Sequence, residues 1–296
     1  RVRIRDLIND TLYSFTIRIV SSDRRSSNGV TVQGRPMGPL AEGSVMAYYR
    51  FENDLTDSIG LFPDGILLGN AALTSPAADD PVPLTQQANT RSLELNGLAG
   101  NGFQFGSSEP YLDEDKTLTL ECYALFPLDS TEAGVLLDRY DESNASEDGI
   151  WRFGVGLSES GSIDFFFNDG NDIDTGFNGR FHVATGAGIA PYDGLFHHYA
   201  VVVSLDETSA AQKVKMYLDG HRIPSTILYE DGVSAYNLLR TDSDLPVMVG
   251  ARRTQVGTTE VMPGRIDEVR MTAGVLLPEQ FLIGPNITAV QEWYLY

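Results

Sequence analysis

The sequence predicts an all-β protein built as a two-sheet antiparallel β-sandwich, and three observations carry that reading. Apolar and polar residues alternate with a period of two through short stretches such as R-S-L-E-L-N, T-L-T-L-E-C-Y-A-L, I-W-R-F-G-V-G-L and F-H-H-Y-A-V-V-V-S-L, the pattern of strands with one buried face. Gly, Asp, Asn and Ser punctuate the stretches, supplying turns at short intervals. No long helical period appears, so the sheets must cover one another rather than pack on helices.

Taken in chain order, residues 2–19 alternate as a strand with Tyr13, Phe15, Ile17 and Ile19 on one face, and V-T-V-Q-G follows the polar turn S-S-D-R-R-S-S-N-G. Two or three strands cannot bury a face alone, so residues 1–36 are expected to close a separate domain. The Pro/Gly punctuation of R-P-M-G-P-L-A-E-G-S marks a linker, placed at 37–43. The main domain is expected over 44–283, beginning at V-M-A-Y-Y-R-F and continuing through S-I-D-F-F-F, K-V-K-M-Y-L, L-P-V-M-V and G-R-I-D-E-V-R-M. Asp219-Gly220, between K-M-Y-L and H-R-I, is the residue pair of a two-residue hairpin turn. A short helix is expected at Pro278 to Leu282, with proline in the first turn, where a missing amide hydrogen costs nothing. Residues 284–296 read as a tail strand or the start of a linker.

Composition excludes several functions. Forty-one acidic against 21 basic residues give a formal charge of -20, which repels polyanions and argues against nucleic acid. Cys122 is the only cysteine, so there is no intrachain disulfide and no cysteine metal cluster. Its phase with Leu118 and Leu120 makes it a small buried hydrophobe. No stretch reaches the ~18 apolar residues of a membrane span, and no signal peptide is visible. The chain begins with Arg1, as a processed product or a fragment would. Asn9, Asn144 and Asn286 stand in glycosylation sequons.

Five segments in order, V-M-A-Y-Y-R-F-E-N-D, T-L-T-L-E-C-Y-A-L, G-L-F-H-H-Y-A-V-V-V, K-M-Y-L-D-G-H-R-I and G-R-I-D-E-V-R-M, resemble the laminin-G-like, concanavalin-A-like jellyroll domains. Tyr49, Phe51 and Glu52 stand where that family opens with W-x-F-D/E. Phe196 to Ala200 match its W-H-H-V-A segment, Tyr217, Asp219 and Gly220 its Y-x-D-G hairpin, and Gly264 with Ile266 to Val269 its G-x-I-D-E-V strand. Residues 1–36 resemble the last strands of a fibronectin type III domain, with Leu7 six places before Tyr13. The resemblance implies a jellyroll but not an activity, because the fold hosts sugar binders, protein binders and glucanases alike.

Catalysis is not expected. Glycoside hydrolysis needs two carboxylates in one groove, and no E-x-D-x-x-E or E-x-D-x-E run occurs; Asp172 and Asp174 read as loop acids. His197 and His198 are adjacent on a strand and point to opposite faces. No G-x-S-x-G elbow or phosphate-binding glycine loop is present.

A recognition module is expected instead, secreted or on a bacterial cell surface. Its partner is either a polysaccharide or surface glycoprotein, or neighbouring protomers of a structural assembly. Sugar sites use aromatic surface with a few polar groups, which nominates Tyr192 in A-P-Y-D-G, Tyr236 in V-S-A-Y-N and Trp151. Trp151 shares a face with Phe153 and Val155 and so also fits a core position. Phe165, Phe166 and Phe167 are consecutive, so at least one faces away from its neighbours.

One structural calcium ion is the remaining expectation. Alternation puts Asp267 in phase with Val269 and Met271, and a carboxylate buried there needs a partner. The resemblance implies calcium between the opening strand and the last long strand, with Glu52 as the second ligand, and calcium accepts such oxygen donors. The alternative is that Asp267 is satisfied by backbone amides or by Arg265 or Arg50.

Overall fold

The structure is a computed structural model, and it describes residues 13–18, 26–34, 45–60, 62–74, 89–106, 117–128, 130, 132–139, 150–168, 180–205, 207, 210–231, 246–254 and 257–283. The chain divides into two compact units, Ser44–Gly284 and a smaller one that includes Arg1–Gly43. In the smaller unit β1 (Tyr13–Ile17) pairs antiparallel with β2 (Val30–Gly34), Phe15 opposite Val32.

The larger unit runs β3 (Val45–Tyr49), β4 (Ile66–Leu68), β5 (Ala72–Leu73), β6 (Leu93–Asn96), β7 (Gly102–Phe105), β8 (Thr117–Leu125), β9 (Gly134–Arg139), β10 (Ile150–Val155), β11 (Ile163–Asn168), β12 (Arg180–Thr185) and β13 (Phe196–Ser204). It continues through α1 (Ala210–Lys213), β14 (Val214–Leu218), β15 (His221–Ile223), β16 (Ser225–Asp231), β17 (Val247–Val249), β18 (Arg252–Thr254), β19 (Gly257–Thr259) and β20 (Pro263–Thr272). Among the described residues, sheet I has the order β15-β14-β13-β8-β20-β6-β5 with β3 also on β20, and sheet II the order β16-β12-β11-β10-β9-β17-β7-β4. Every pairing is antiparallel, so this is the expected two-sheet antiparallel β-sandwich.

The core follows from the alternation. Leu118, Leu120, Cys122 and Ala124 of β8 and Tyr199, Val201 and Val203 of β13 meet Trp151, Phe153, Phe165, Phe167, Phe103 and Phe105 of sheet II in one buried cluster. Tyr49 lies edge-on to Phe103 at 5.1 Å, and each such ring withdrawn from water contributes about 1.5–3 kcal/mol.

Asp219-Gly220 forms the expected hairpin turn between β14 and β15, with φ of 49° and 75° and Leu218 opposite His221. The Asp219 carboxylate also fastens β13: it accepts the His198 amide at 2.9 Å and pairs with His197 Nδ1 at 2.7 Å. The short helix expected at Pro278 to Leu282 is a single 3-10 turn over Pro278–Gln280, because Phe281 is already extended.

That turn belongs to a strap laid across the outer face of sheet I. Thr119 Oγ1 donates to the Gly274 carbonyl at 2.7 Å, Arg270 Nη2 donates to the Gln280 carbonyl at 2.8 Å, and the Leu282 amide donates to Glu121 Oε2 at 2.8 Å. Phe281 packs on His198 and Tyr217, with ring centroids 5.5 and 5.0 Å away. Beneath it Glu121 binds Arg270 Nε at 2.6 Å and His198 Nε2 at 3.0 Å. Nδ1 of His198 has no hydrogen-bond partner among the described residues, which puts the ring proton on Nε2.

One expectation about phase is corrected. β20 carries a bulge, a register shift between Asp267 and Arg270 with Glu268 at φ 50°, so alternation does not run through it. Ile266, Val269 and Met271 all enter the core, and Asp267 does not share their face.

Candidate functional site

The expected calcium ligands come first. Asp267 is fully buried and accepts Asn89 Nδ2 at 2.8 Å and the Glu268 amide at 2.8 Å. Burial pushes its carboxyl well above the usual range, the Asn89 hydrogen bond pulls against this, and the Glu268 and Glu52 charges add to it. Arg50 goes to Glu268 instead, 3.2 Å away, and Tyr48 also donates to Glu268. Glu52 accepts the Thr90 amide at 3.0 Å and the Thr90 hydroxyl at 2.8 Å. Among the described residues no three acidic, histidine or cysteine side chains converge as a metal cage. Asn89 Oδ1, however, is a buried oxygen with no hydrogen-bond partner among the described residues. With the Asp267 and Glu52 carboxylates, the donors are all oxygen, which suits a hard cation.

The aromatic candidates separate. Trp151 is 0% exposed and packs in the sandwich core, which corrects its nomination as a ligand-binding residue: no ring face is left for a sugar. Its in-phase neighbours Phe153 and Val155 gave the signal. Tyr192 is half-buried, edge-on to Phe126 at 5.4 Å, and its hydroxyl is 3.4 Å from the Glu132 carbonyl. Tyr236, Asp172, Asp174 and the three sequons lie outside the described residues.

Sheet II brings together a set that no single stretch of sequence displays. Its inward residues are apolar, so the residues between them face outward. Cα pairing places Ile66, Gln104, Met248, Asp138, Arg152, Phe166 and His182 side by side across seven strands. At about 4.8 Å per strand, the stretch from Gln104 to His182 measures ~24 Å, with Met248 and Asp138 buried within it and Gln104, Arg152, Phe166 and His182 partly accessible. Phe166 is the outward member of the three consecutive phenylalanines and is partly exposed. His182 is held by Asp164, Nε2 to Oδ1 at 3.1 Å, and Asp164 also accepts the Leu157 amide at 3.2 Å.

Charge concentrates at the middle. Asp138, 0% exposed, accepts Arg152 Nε at 2.9 Å, and its Oδ2 has no hydrogen-bond partner among the described residues. Burial raises its pKa to about 7 against the pull of Arg152 and Arg252. The hairpin β18–β19 adds Arg252, whose Nη1 donates to Glu260 Oε1 at 2.9 Å, while Arg152 Nη1 stands 3.5 Å from Glu260 Oε2. Glu260 sits at φ 48°, in the left-handed region. This cluster escapes a search for acids alternating within one strand, because its members come from different strands. The legible signal was charge set amid apolar residues, Asp138 and Arg139 ending V-L-L-D-R and Arg152 within I-W-R-F.

A two-sheet sandwich with one aromatic and polar outer face is a lectin-type architecture. The chain belongs to the concanavalin A-like lectin/glucanase superfamily, whose laminin-G family profile matches residues 98–280. No curated protein matches it in sequence. Among solved structures it is similar to the CBM40 of the Ruminococcus gnavus IT-sialidase bound to α2,3-sialyllactose, at 14% identity over 58% of this chain and 83% of that one, TM-score 0.39. It is also similar to the binding domain of botulinum neurotoxin serotype D, at 12% identity over 80% and 49%, TM-score 0.48, and to a SAP-like pentraxin from Limulus polyphemus, at 12% over 58% and 71%, TM-score 0.37. Among the described residues no helix is long and apolar enough to cross a membrane.

Proposed function

We propose that the protein is a non-catalytic, extracellular recognition module that binds carbohydrate along the outer face of sheet II. The observation that carries this reading is the row Gln104, Arg152, Phe166 and His182, each at least partly accessible and each from a different strand of one face. Sugar binding asks for aromatic surface beside a few fixed polar groups. Phe166 supplies the first, and Arg152 and His182, oriented by Asp138 and Asp164, supply the second. Membership of a lectin and glucanase superfamily is consistent with it, and so is a bacterial cell-surface or secreted setting. Tyr192 is kept in the proposal as a rim contact away from the row.

A panel of soluble plant, algal and bacterial polysaccharides tests the reading. Binding in the micromolar to millimolar range that F166A weakens, with folding intact, supports it. Absence of binding across the panel, together with self-association at micromolar protein, favours the alternative of a structural unit docking neighbouring protomers.

Two subsidiary proposals accompany it. Residues 1–36 are assigned to the end of a fibronectin type III-like domain, so that the sandwich is one module of a longer surface protein. A calcium ion is assigned to Asp267, Glu52 and Asn89, where it would replace the proton that burial otherwise holds on Asp267 and stabilise the folded state by mass action.

A further inference from the structure

We propose that Phe166, His182 and Leu228 form a subsite for an uncharged sugar on the outer face of sheet II, in which Nδ1 of His182 accepts a hydrogen bond from a sugar hydroxyl. The inference rests on the carbohydrate-binding reading and names its ligand class.

Three strands build the corner. Phe166 of β11 stands opposite His182 of β12, which in turn stands opposite Tyr229 of β16. The register shifts between His182 and Val183, and because Val183 pairs with Ile227, Leu228 is skipped by both. Leu228 is 52% exposed, so this bulge sets apolar surface next to the partly exposed Phe166 and His182. The Phe166 and His182 rings have centroids 6.1 Å apart and are inclined at 78°, and a sugar lying on one ring therefore presents its edge to the other. Mostly apolar surface with one fixed polar atom is the composition that sugar sites use.

The polar atom is set by Asp164. Its side chain is 1% exposed; Oδ2 accepts the Ser162 hydroxyl at 2.5 Å and the Leu157 amide at 3.2 Å, while Oδ1 takes His182 Nε2 at 3.1 Å. Burial pushes the Asp164 carboxyl up, but hydrogen bonds with His182, Ser158 and Ser162 outweigh it and hold the group below the usual range. A carboxylate only accepts, so Nε2 carries the hydrogen and, in the neutral ring, Nδ1 keeps a lone pair. Among the described residues Nδ1 has no hydrogen-bond partner, and the His182 side chain is 25% exposed. A sugar hydroxyl can give its hydrogen to that lone pair. An ionised sugar carboxylate has no hydrogen to give, and the chain's total charge of -20 repels it further. The ligand is therefore an uncharged polysaccharide.

The test uses the full chain with galactomannan, xylan, laminarin and polygalacturonate at about 0.15 M salt, with calorimetric Kd values. A neutral polymer should bind, and more tightly than polygalacturonate. Glutamine places its amide near the Nε2 position and asparagine near the Nδ1 position, and both remove the ring. H182Q should therefore weaken binding of the neutral polymer by about fivefold or more, and H182N should weaken it less. Thermal unfolding of each variant checks the fold. Nitrogen NMR of the imidazole at about pH 8 should find the hydrogen on Nε2 and a shift of Nδ1 as polymer is added, a response that a merely structural histidine would not give. D164N, whose amide can donate to Nε2 as well as accept from it, should populate the other tautomer and weaken binding in step. The subsite is overturned if H182N costs as much as H182Q, if the hydrogen sits on Nδ1, or if polygalacturonate binds more tightly than every neutral polymer. Neutral-polymer binding that F166A weakens, with no response to H182Q, ends the hydroxyl-acceptor inference and leaves the sugar-binding face standing. No binding of any polymer ends both.

Discussion

Arg152 reaches across the β9–β10 ladder to Asp138, Nε to Oδ1 at 2.9 Å, on the one face of sheet II that the core does not cover. The pair is held at the cost of burying a carboxyl whose pKa rises to about 7. An acid with a raised folded pKa binds its proton more tightly in the native state. Its stabilising contribution is complete below the unfolded pKa of about 4, declines as the pH rises, and is gone above about 7. Melting temperatures of wild type and D138N from pH 4 to 8 should therefore differ most favourably for the wild type at the acid end. A difference that stays constant with pH would contradict the assignment.

Trp151 tests the division between core and surface. W151A should destabilise the domain by about 3–5 kcal/mol, the usual cost of emptying a large aromatic site, measured by denaturant unfolding. A loss below about 1 kcal/mol would mean that the ring is not in the core.

Glu121 holds two partners under the strap. E121A leaves the buried Arg270 without its counter-charge and His198 Nε2 without its hydrogen-bond acceptor, which costs about 3–5 kcal/mol. It also removes the acceptor of the Leu282 amide. Hydrogen exchange over residues 276–282 should accelerate more than in the core strands. Uniform acceleration across the domain would show that the strap is not separately anchored.

His197 is held between Asp219 and Asp193, and the Asp219 hydrogen bond, ahead of the opposing effect of burial, raises its pKa. A base with a raised folded pKa stabilises fully below its unfolded value of about 6.5 and loses that contribution as the pH climbs through the folded one. Imidazole titration by NMR should show His197 of D219N moving back toward the ordinary value. An unchanged titration would remove the pair from the account of the hairpin.

The calcium proposal predicts that the ion, added after chelation, raises the melting temperature, and that D267A and N89A each abolish the increment. An unchanged melting temperature in the wild type would leave Asp267 as a protonated acid served by Asn89 and the Glu268 amide.

Alternation in the sequence reveals the sandwich because period-two burial is a local property: Leu118, Leu120 and Cys122 announce their face without reference to any other strand. The same logic misplaces Asp267, since a bulge at Glu268 depends on how β20 fits against β8 and has no local mark stronger than the residue itself. The outer row of sheet II was legible only in part. Phe166 had to point away from Phe165 and Phe167, but its neighbours Arg152 and His182 are set by cross-strand register, which separate stretches of sequence do not encode. The 3-10 turn at Pro278–Gln280 was visible through its proline, whereas α1 at Ala210–Lys213 is too short to display a period.

The strap over sheet I also decides how the sandwich meets mechanical load. Tension on the chain beyond Ile283 would not reach an edge strand first. It would arrive at the Glu121–Leu282 and Arg270–Gln280 bonds, rooted in β8 and β20 in the interior of the sheet. Bonds at such an anchor are strained together rather than unzipped one after another, and the strands behind them are braced on both sides. Pulled from this end, the domain should yield by release of the strap before any strand leaves its sheet, giving a small early extension ahead of the main rupture.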